Sequence, residues 1–163
     1  MNSNITAVDQ GHLRRCVALA IQALENGDDP FGSVLVDADG AVLAEAMNRE
    51  RSDADPTAHP EFELVKWAIA NLTPDERATS TIYTSGEHCP MCAAAHAWVG
   101  LGRIVYAVSG GQLVGWRAQW GVPPGPVAPL SIRDVAPGVP VDGPAPELED
   151  EVRELHRRLY ALS

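Results

Sequence analysis

Three side chains of the kinds that bind metal ions stand at the starts of two separate helical patterns, and this restricts how the chain can fold. His59 comes just before one apolar helical pattern, and Cys89 and Cys92 open a second, alanine-rich one. The N-terminus of a helix carries partial positive charge and free N–H groups, which favour the thiolate form of cysteine. A fold that uses all three side chains must bring two helix N-termini together.

An imidazole and two thiolates form a ligand set that zinc uses. No convincing fourth ligand stands nearby in the sequence, and three protein ligands leave one position of a tetrahedral zinc for water, which is typical of catalytic sites. Glu61 could accept a proton from that water and return it to a leaving amine. Two alternatives remain open. Glu61 could be an ordinary carboxylate of a first helical turn, and a Cys-x-x-Cys pair also occurs in redox sites and in structural zinc sites.

Size and charge narrow the partners that we expect. The 163 residues, 45% of them hydrophobic, fit one globular domain over residues 1–163. The formal net charge of −10 disfavours a nucleic-acid partner, because affinity for a phosphate backbone comes mainly from Lys and Arg. No apolar run in the sequence is long enough for a membrane helix, and the polar first four residues do not resemble a signal peptide. We therefore expect a cytoplasmic protein with reduced cysteines and a small, uncharged substrate.

The hydrophobic pattern predicts helices that alternate with short strands. The predicted helices cover residues 9–26, about 57–72, 89 to about 100 and 147–162, and the predicted strands cover residues 31–36, 41–47, 81–84 and 103–108. Residues 109–146 are dense in Gly and Pro, and we expect loops there with at most one short strand at 130–135. The alternation predicts an α/β fold of three layers, with a central mixed sheet of about five strands and helices on both faces.

Around the candidate ligands the sequence resembles the cytidine deaminase superfamily, whose zinc deaminases carry an HxE motif followed by PCxxC. The resemblance runs from about residue 9 to 108, and segments 30–36, 55–59 and 83–87 look like the branch that holds guanine, cytosine and tRNA adenosine deaminases. It implies the cytidine deaminase-like fold, zinc held by His59, Cys89 and Cys92, and Glu61 as the proton shuttle. It also implies at least a homodimer, for which Trp98 could supply an interface.

The resemblance also implies substrate contacts. Phe31 would stack on the substrate ring, and Asn48 would hydrogen-bond one edge of it. Each residue has a simpler interpretation, since Phe31 could belong to the core and Asn48 to a turn.

The sequence departs from the branch beside the metal ligands. Pro60 lies between His59 and Glu61, and His88 stands where a proline usually precedes the first cysteine. Proline has no N–H to offer to a bound base, so the base preference could differ and His88 could supply a replacement donor or acceptor. Alternatively, Pro60 only stiffens the helix start and His88 points to solvent.

Histidines and aromatic residues elsewhere are harder to place from the sequence. Trp116, Trp120 or Tyr160 could close over a flat ligand, or could pack in the protein. We expect His12 and His156 at the surface, and Cys16 in the core.

The sequence as a whole predicts a zinc-dependent aminohydrolase. It would remove an amino group from a small free nucleobase or related amino-substituted N-heterocycle, of the guanine or cytosine type, and release ammonia. One alternative is a tRNA adenosine deaminase, which shares nearly the same metal motifs but would need a basic surface. Another is a non-catalytic, zinc-stabilised binding module in which Glu61 is dispensable.

Overall fold

A mixed five-stranded sheet with helices on both faces forms the centre of the protein, and this confirms the predicted fold class. The computed structural model describes residues 4–161. The strands are β1 Gly32–Val36, β2 Val42–Met47, β3 Thr81–Gly86, β4 Ile104–Val108 and β5 Val141–Asp142. The helices are α1 Ala7–Glu25, α2 Pro60–Asn71, α3 Pro74–Ala78, α4 Pro90–Trp98, α5 Gly110–Gln119, α6 Ile132–Val135 and α7 Glu149–Ala161, with a 3₁₀ turn at Pro146–Leu148.

The sheet has the strand order β2-β1-β3-β4-β5. Strand β1 is antiparallel to both β2 and β3, whereas β4 is parallel to both β3 and β5. Helices α1 and α7 cover one face, and α2 and α4 cover the other. Alternation along β1 supplies both cores, because Val34 packs in the cluster with α1 while the next residue, Leu35, packs in the cluster with α2.

One edge of the sheet gathers the loops that carry the candidate site. Gly32 pairs with Met47, and Ser33 pairs with Thr84, so the start of β1 lies beside the ends of β2 and β3. Phe31 immediately precedes β1, and Asn48 immediately follows β2. Helix α4 begins four residues after β3. The strand directions therefore bring the predicted substrate contacts and the two cysteines to the same edge.

A buried ion pair fixes α1 to the central strands. The carboxylate of Asp9 accepts hydrogen bonds from Tyr83 Oη at 2.7 Å and from both terminal nitrogens of Arg103 at 3.0 Å. Asp9 also closes a capping box with Thr6 at the helix start. These contacts tie α1 to β3 and to the residue before β4, and so stabilise the face of the sheet opposite the candidate site.

The prediction for residues 109–146 was wrong in its details. Where we expected loops, α5 forms a ten-residue helix, and where we expected a strand at 130–135, α6 forms a short helix. The only strand that the structure describes in this stretch is β5, at Val141–Asp142. Each of the two helices begins with a serine that accepts a hydrogen bond from a backbone N–H three residues later.

The remaining helix predictions were right to within a few residues, although α3 was missed. The predicted last residue of α7, Leu162, lies outside the described residues, as do Met1, Asn2 and Ser3 of the polar start. Within residues 4–161, no helix combines the length and the hydropathy that crossing a bilayer requires.

Candidate active site

The ligand atoms of His59, Cys89 and Cys92 lie within 4.8 Å of one another and could hold a metal ion. His59 Nδ1 is 3.5 Å from Cys89 Sγ and 3.6 Å from Cys92 Sγ. A tetrahedral zinc with Zn–S of about 2.3 Å and Zn–N of about 2.0–2.1 Å would hold its nitrogen and sulfur ligands about 3.6 Å apart. Both nitrogen–sulfur distances are therefore close to those that zinc would impose.

Two helix starts position these ligands. His59 is the N-cap of α2 and Cys89 is the N-cap of α4, and neither side chain makes a capping hydrogen bond. Each cap is followed by a proline at the first helical position, Pro60 in α2 and Pro90 in α4, where the missing N–H costs nothing. Pro60 thus has a structural reason to be where it is, as the second interpretation above proposed.

The protein surroundings of Cys89 favour its thiolate form. Hydrogen bonding from the Cys92 thiol, and then from His59, lowers the pKa of Cys89 to about 4. The same contact with Cys89, together with burial, raises the pKa of Cys92 well above its usual value. One thiol of the pair therefore ionises readily, and a bound cation would favour loss of the second proton as well.

Glu61 lies beside the ligand cluster and is buried in the first turn of α2. Its Oε2 is 3.8 Å from Cys92 Sγ, so this oxygen faces the cluster. Burial raises the pKa of Glu61 to about 7. A carboxyl group with such a pKa can both accept and donate a proton near neutral pH, which is the requirement for a proton shuttle.

A chain of hydroxyls supports Glu61 from β3 and β1. Thr84 Oγ1 can donate its hydrogen to Glu61 Oε1 at 3.1 Å or to the carbonyl oxygen of Gly86 at 3.0 Å, and it accepts a hydrogen bond from Ser33 at 2.9 Å. Ser33 and Thr84 face each other across the antiparallel pair and are fully buried. The sheet register therefore decides where the carboxylate of Glu61 is held.

The two predicted substrate contacts lie next to each other. The backbone N–H of Asn48 donates to the carbonyl oxygen of Phe31 at 3.0 Å. The ring of Phe31 packs on Gly86 so closely that a Cβ there would come within 2.9 Å of it. Asn48 is buried, its Nδ2 donates to the carboxylate of Glu50 at 2.6 Å, and its Oδ1 accepts the backbone N–H of Glu50 at 3.0 Å, which is a turn contact. Phe31 and Asn48 thus lie at the sheet edge that carries Glu61.

His88 does not point to solvent. It is buried, neither ring nitrogen has a hydrogen-bond partner among the described residues, and its ring lies 5.5 Å from the ring of His96. His96 is two helical turns beyond Cys89, and its Nε2 lies 2.7 Å from the carbonyl oxygen of Gly102. The ring of His88 therefore lies alongside α4, and a role in substrate binding stays a prediction.

Two expectations about other residues need correction or completion. His156 is buried, not at the surface, and its ring meets the ring of Phe31 edge-on at 4.9 Å. Trp116 belongs to the core between the sheet and α1, whereas Trp120 packs at its margin with its ring 6.1 Å from that of Tyr160. Cys16 is buried as expected.

The sequence around this site matches a known family of enzymes. Residues 6–108 match the family model described as the cytidine and deoxycytidylate deaminase zinc-binding region. The chain belongs to this deaminase family. It is also 31% identical over 163 residues to a probable cytosine deaminase of Schizosaccharomyces pombe, covering 98% of this chain and 96% of that protein.

The names of other similar proteins give different substrates. A guanine deaminase of Bacillus subtilis is 38% identical over 58% of this chain and 61% of its own length. A tRNA-specific adenosine deaminase of Haemophilus influenzae is 33% identical over 62% of this chain and 58% of its own length. A solved structure of a protein in complex with 2,6-diaminopurine has a TM-score of 0.73 at 22% identity, covering 98% of this chain and 85% of that one, and confirms the fold. The chain is therefore a deaminase of this family, and the names of its relatives give three different substrates.

The sequence did not predict the residues that contact Glu61, Asn48 and His59 in this deaminase. Thr84 and Ser33 carried no signal, because a hydroxyl in a strand gains a role only when the register places it. Glu50 stands between two arginines and carried no signal either, yet it contacts both Asn48 and His59.

Proposed function

We propose that this protein is a zinc-dependent hydrolytic deaminase of a small free nucleobase, of the guanine or cytosine type, with His59, Cys89 and Cys92 as the zinc ligands. The observation that carries the proposal is the buried carboxyl group of Glu61 with Oε2 facing a cluster that fits zinc and has one position left open. A structural zinc site has no need to bury a carboxylate, which costs several kcal/mol of desolvation unless it is paired or neutral.

Glu61 carries the proton transfers in this proposal. Zinc, when bound, would supply an acidified water as the nucleophile. Oε2 of Glu61 would accept one proton of that water and pass it to a ring nitrogen of the base as the oxygen bonds to the amino-bearing carbon. Glu61 would then take the remaining proton of that hydroxyl and give it to the amino group, so that the carbon–nitrogen bond breaks, a carbonyl forms and ammonia leaves. Thr84 holds Oε1 throughout, so the carboxyl group keeps its orientation. Phe31 packs on the flat face of the base and Asn48 hydrogen-bonds one of its edges.

The charges next to the site favour an uncharged substrate. A cavity of about 500 Å³ is lined by Asp29, Glu50, Arg51, Ala54 and Pro56. Its charged residues are two carboxylates and one arginine, which together would repel a phosphate group. Among the relatives, the cytosine deaminase covers nearly the whole chain and the guanine deaminase has the higher identity over a shorter part.

A tRNA adenosine deaminase is the second candidate, and its support is the match to enzymes with that name. Against it stand the formal net charge of −10 and the acidic residues at the cavity. An enzyme that holds a folded RNA needs a basic surface near its site.

Release of ammonia from a panel of substrates tests the proposal. We expect the zinc-loaded protein to deaminate guanine or cytosine as the free base, and not adenine, the nucleosides or a tRNA anticodon stem. Glu61→Gln should lower kcat by about 10²–10⁴-fold while keeping zinc, because it removes the proton carrier and leaves the ligands. Release from the stem alone would make RNA the substrate. Equal ammonia release by wild type and Glu61→Gln would contradict the proposed mechanism.

We propose that His88 changes the preference of this enzyme between bases, compared with relatives that have a proline at this position. The proposal rests on its position directly before Cys89 and on its two ring nitrogens, which have no hydrogen-bond partner within residues 4–161. His88→Pro restores the residue usual in the branch, and we expect it to change the ratio of kcat/KM values between guanine and cytosine. An unchanged ratio in a folded, zinc-loaded variant would leave His88 with a packing role only.

A further inference from the structure

Glu50 connects a predicted substrate contact to a predicted metal ligand through a single oxygen atom. Its Oε2 accepts a hydrogen bond from Asn48 Nδ2 at 2.6 Å and lies 3.7 Å from His59 Nε2. Its backbone N–H donates to Asn48 Oδ1 at 3.0 Å. Glu50 also lines the cavity next to the site.

These bonds fix which way the amide of Asn48 points. The oxygen of the amide faces the N–H of Glu50, and the nitrogen faces its carboxylate, so rotating the amide by 180° would break both contacts. One N–H and one lone pair of Asn48 remain for a ligand. Glu50 thus decides which part of the Asn48 side chain meets an acceptor of the base and which part meets a donor.

The same carboxylate faces the ring of His59 at ion-pair distance. Nδ1 faces the sulfur atoms of Cys89 and Cys92, and Nε2 faces Glu50 on the other side of the ring. An imidazole that binds a metal through one nitrogen usually donates its other N–H to a carboxylate or carbonyl, which sets the tautomer and the ring orientation. The position of Glu50 matches that role.

The neighbouring charges of the loop do not account for the position of Glu50. Arg49 pairs with Asp53 at 2.9 Å, and Arg51 pairs with Asp29 at 3.6 Å. Each adjacent arginine thus has its own carboxylate, and Glu50 turns inward to Asn48 and His59 instead. If Glu50 served only to pair with a surface charge, it would contact Arg49 or Arg51 rather than Asn48 and His59.

We propose that Glu50 is a positioning residue of the deaminase, which orients the Asn48 amide for the base and the His59 imidazole for the metal at the same time. The part that concerns the base rests on the proposed function, whereas the part that concerns the metal does not. Because one oxygen serves both contacts, substrate binding and metal binding should respond together when that oxygen is removed.

Two substitutions at position 50 test the proposal. Glu50→Ala removes the shared acceptor, and we expect zinc affinity, measured by competition with a chromophoric chelator, to fall by about 10–100-fold. At saturating zinc, KM for the deaminated base should rise by about 10-fold, with kcat within about 3-fold of wild type because Glu61 is untouched. Glu50→Gln keeps one oxygen that can accept both bonds, and both values should return to within about 3-fold of wild type.

Asp53→Ala is the matched control, since it removes a carboxylate from the same loop that contacts neither Asn48 nor His59. Its zinc affinity and KM should equal those of wild type. The proposal is overturned if folded Glu50→Ala keeps both values, if only one of them changes, or if Glu50→Gln loses as much as Glu50→Ala. If wild type releases no ammonia from any base, the proposed function fails, and a weaker zinc affinity of Glu50→Ala still establishes the contact with His59.

Discussion

At the scale of single residues, Thr84 gives Glu61 a partner in both of its protonation states. A threonine hydroxyl has one hydrogen to donate and two lone pairs. When Glu61 is ionised, Thr84 can donate to its Oε1, and when Glu61 is protonated, Thr84 can accept from it while donating to the carbonyl oxygen of Gly86. The buried carboxyl group of Glu61 therefore has a hydrogen-bond partner both when it is ionised and when it is protonated.

Replacement of Thr84 by valine should disturb that exchange. The hydrogen bond from Thr84 lowers the pKa of Glu61, against the burial that raises it to about 7. Thr84→Val should therefore move the acid limb of the pH profile of kcat/KM to higher pH, since Glu61 must be ionised to accept a proton. We also expect kcat to fall by about 10-fold, which corresponds to one hydrogen bond of about 1–1.5 kcal/mol. Thr84→Ser should restore both, and an unmoved acid limb in Thr84→Val would show that the hydroxyl does not act on Glu61.

The residues that could be predicted from the sequence are those with a local pattern. His59 and Glu61 are two positions apart, and Cys89 and Cys92 are three apart at a helix start, so spacing alone suggests their chemistry. Thr84 reaches Glu61 across 23 positions, and it does so only because the β1–β3 register and the start of α2 bring them together. Such a contact depends on tertiary structure, and no local pattern announces it.

At the scale of whole elements, the error in residues 109–146 has an identifiable cause. The sequence contains a capping signal at each missed helix, Ser109 with Gln112 and Ser131 with Asp134, but the surrounding Gly and Pro outweighed it. Glu87 adds a contact that could not be predicted, because its two carboxylate oxygens accept the backbone N–H groups of Gly110 and Ile132. One side chain of the metal-site loop thus holds the first turns of both helices.

Helix α7 shows the opposite case, in which the periodicity was right and the residue type misled. His156 lies four residues after Val152 and three before Leu159, so it falls on the apolar face that covers the core. We expected a histidine to be at the surface, yet this one is 1% exposed, and neither ring nitrogen has a hydrogen-bond partner among the described residues. A buried polar group of this kind makes the stability of the fold sensitive to pH.

His156 should make the folded protein less stable as the pH falls. Burial, followed by the charge of Arg117, lowers the pKa of His156 from about 6.5 to about 3. The unfolded chain therefore takes up a proton below pH 6.5 that the folded protein takes up only near pH 3, and stability decreases over this range. Between pH 6.5 and pH 5 the loss is about 2 kcal/mol, at about 1.4 kcal/mol per pH unit.

Denaturant unfolding of His156→Leu at pH 7 and pH 5 checks this prediction. The variant should be at least as stable as wild type at pH 7, because it removes two unpartnered polar atoms, and its loss of stability between the two pH values should be smaller by about 2 kcal/mol. Leu155→Ala on the same helix should be less stable at both pH values with the wild-type pH dependence. The same pH dependence in wild type and His156→Leu would mean that His156 is accessible to protons in the folded state.

At the scale of the whole molecule, one apolar face is left uncovered. Trp98 at the end of α4 is 87% exposed and Ile69 on the neighbouring α2 is 56% exposed, although both helices pack well against the sheet on their inner sides. Large exposed aromatic side chains are typical of protein interfaces. The family resemblance implied a homodimer, and the sequence itself offered Trp98 and its helix as the interface. The exposure of Trp98 supports a homodimer formed through α2 and α4.

Disruption of this face should separate the chains. A symmetric dimer places the same patch of both chains in contact, so Trp98→Glu would bring two carboxylates into one apolar interface. We expect wild type to sediment with the mass of two chains at micromolar concentration, and Trp98→Glu to sediment as a single chain of 17.4 kDa. Val8→Glu changes an exposed apolar residue on α1, which covers the other face of the sheet, and should leave the dimer intact. A dimer that survives Trp98→Glu would place the interface elsewhere. Trp98 lies one helix length from the predicted metal ligands. Loss of activity in a monomeric Trp98→Glu would therefore indicate that the second chain helps to complete the site.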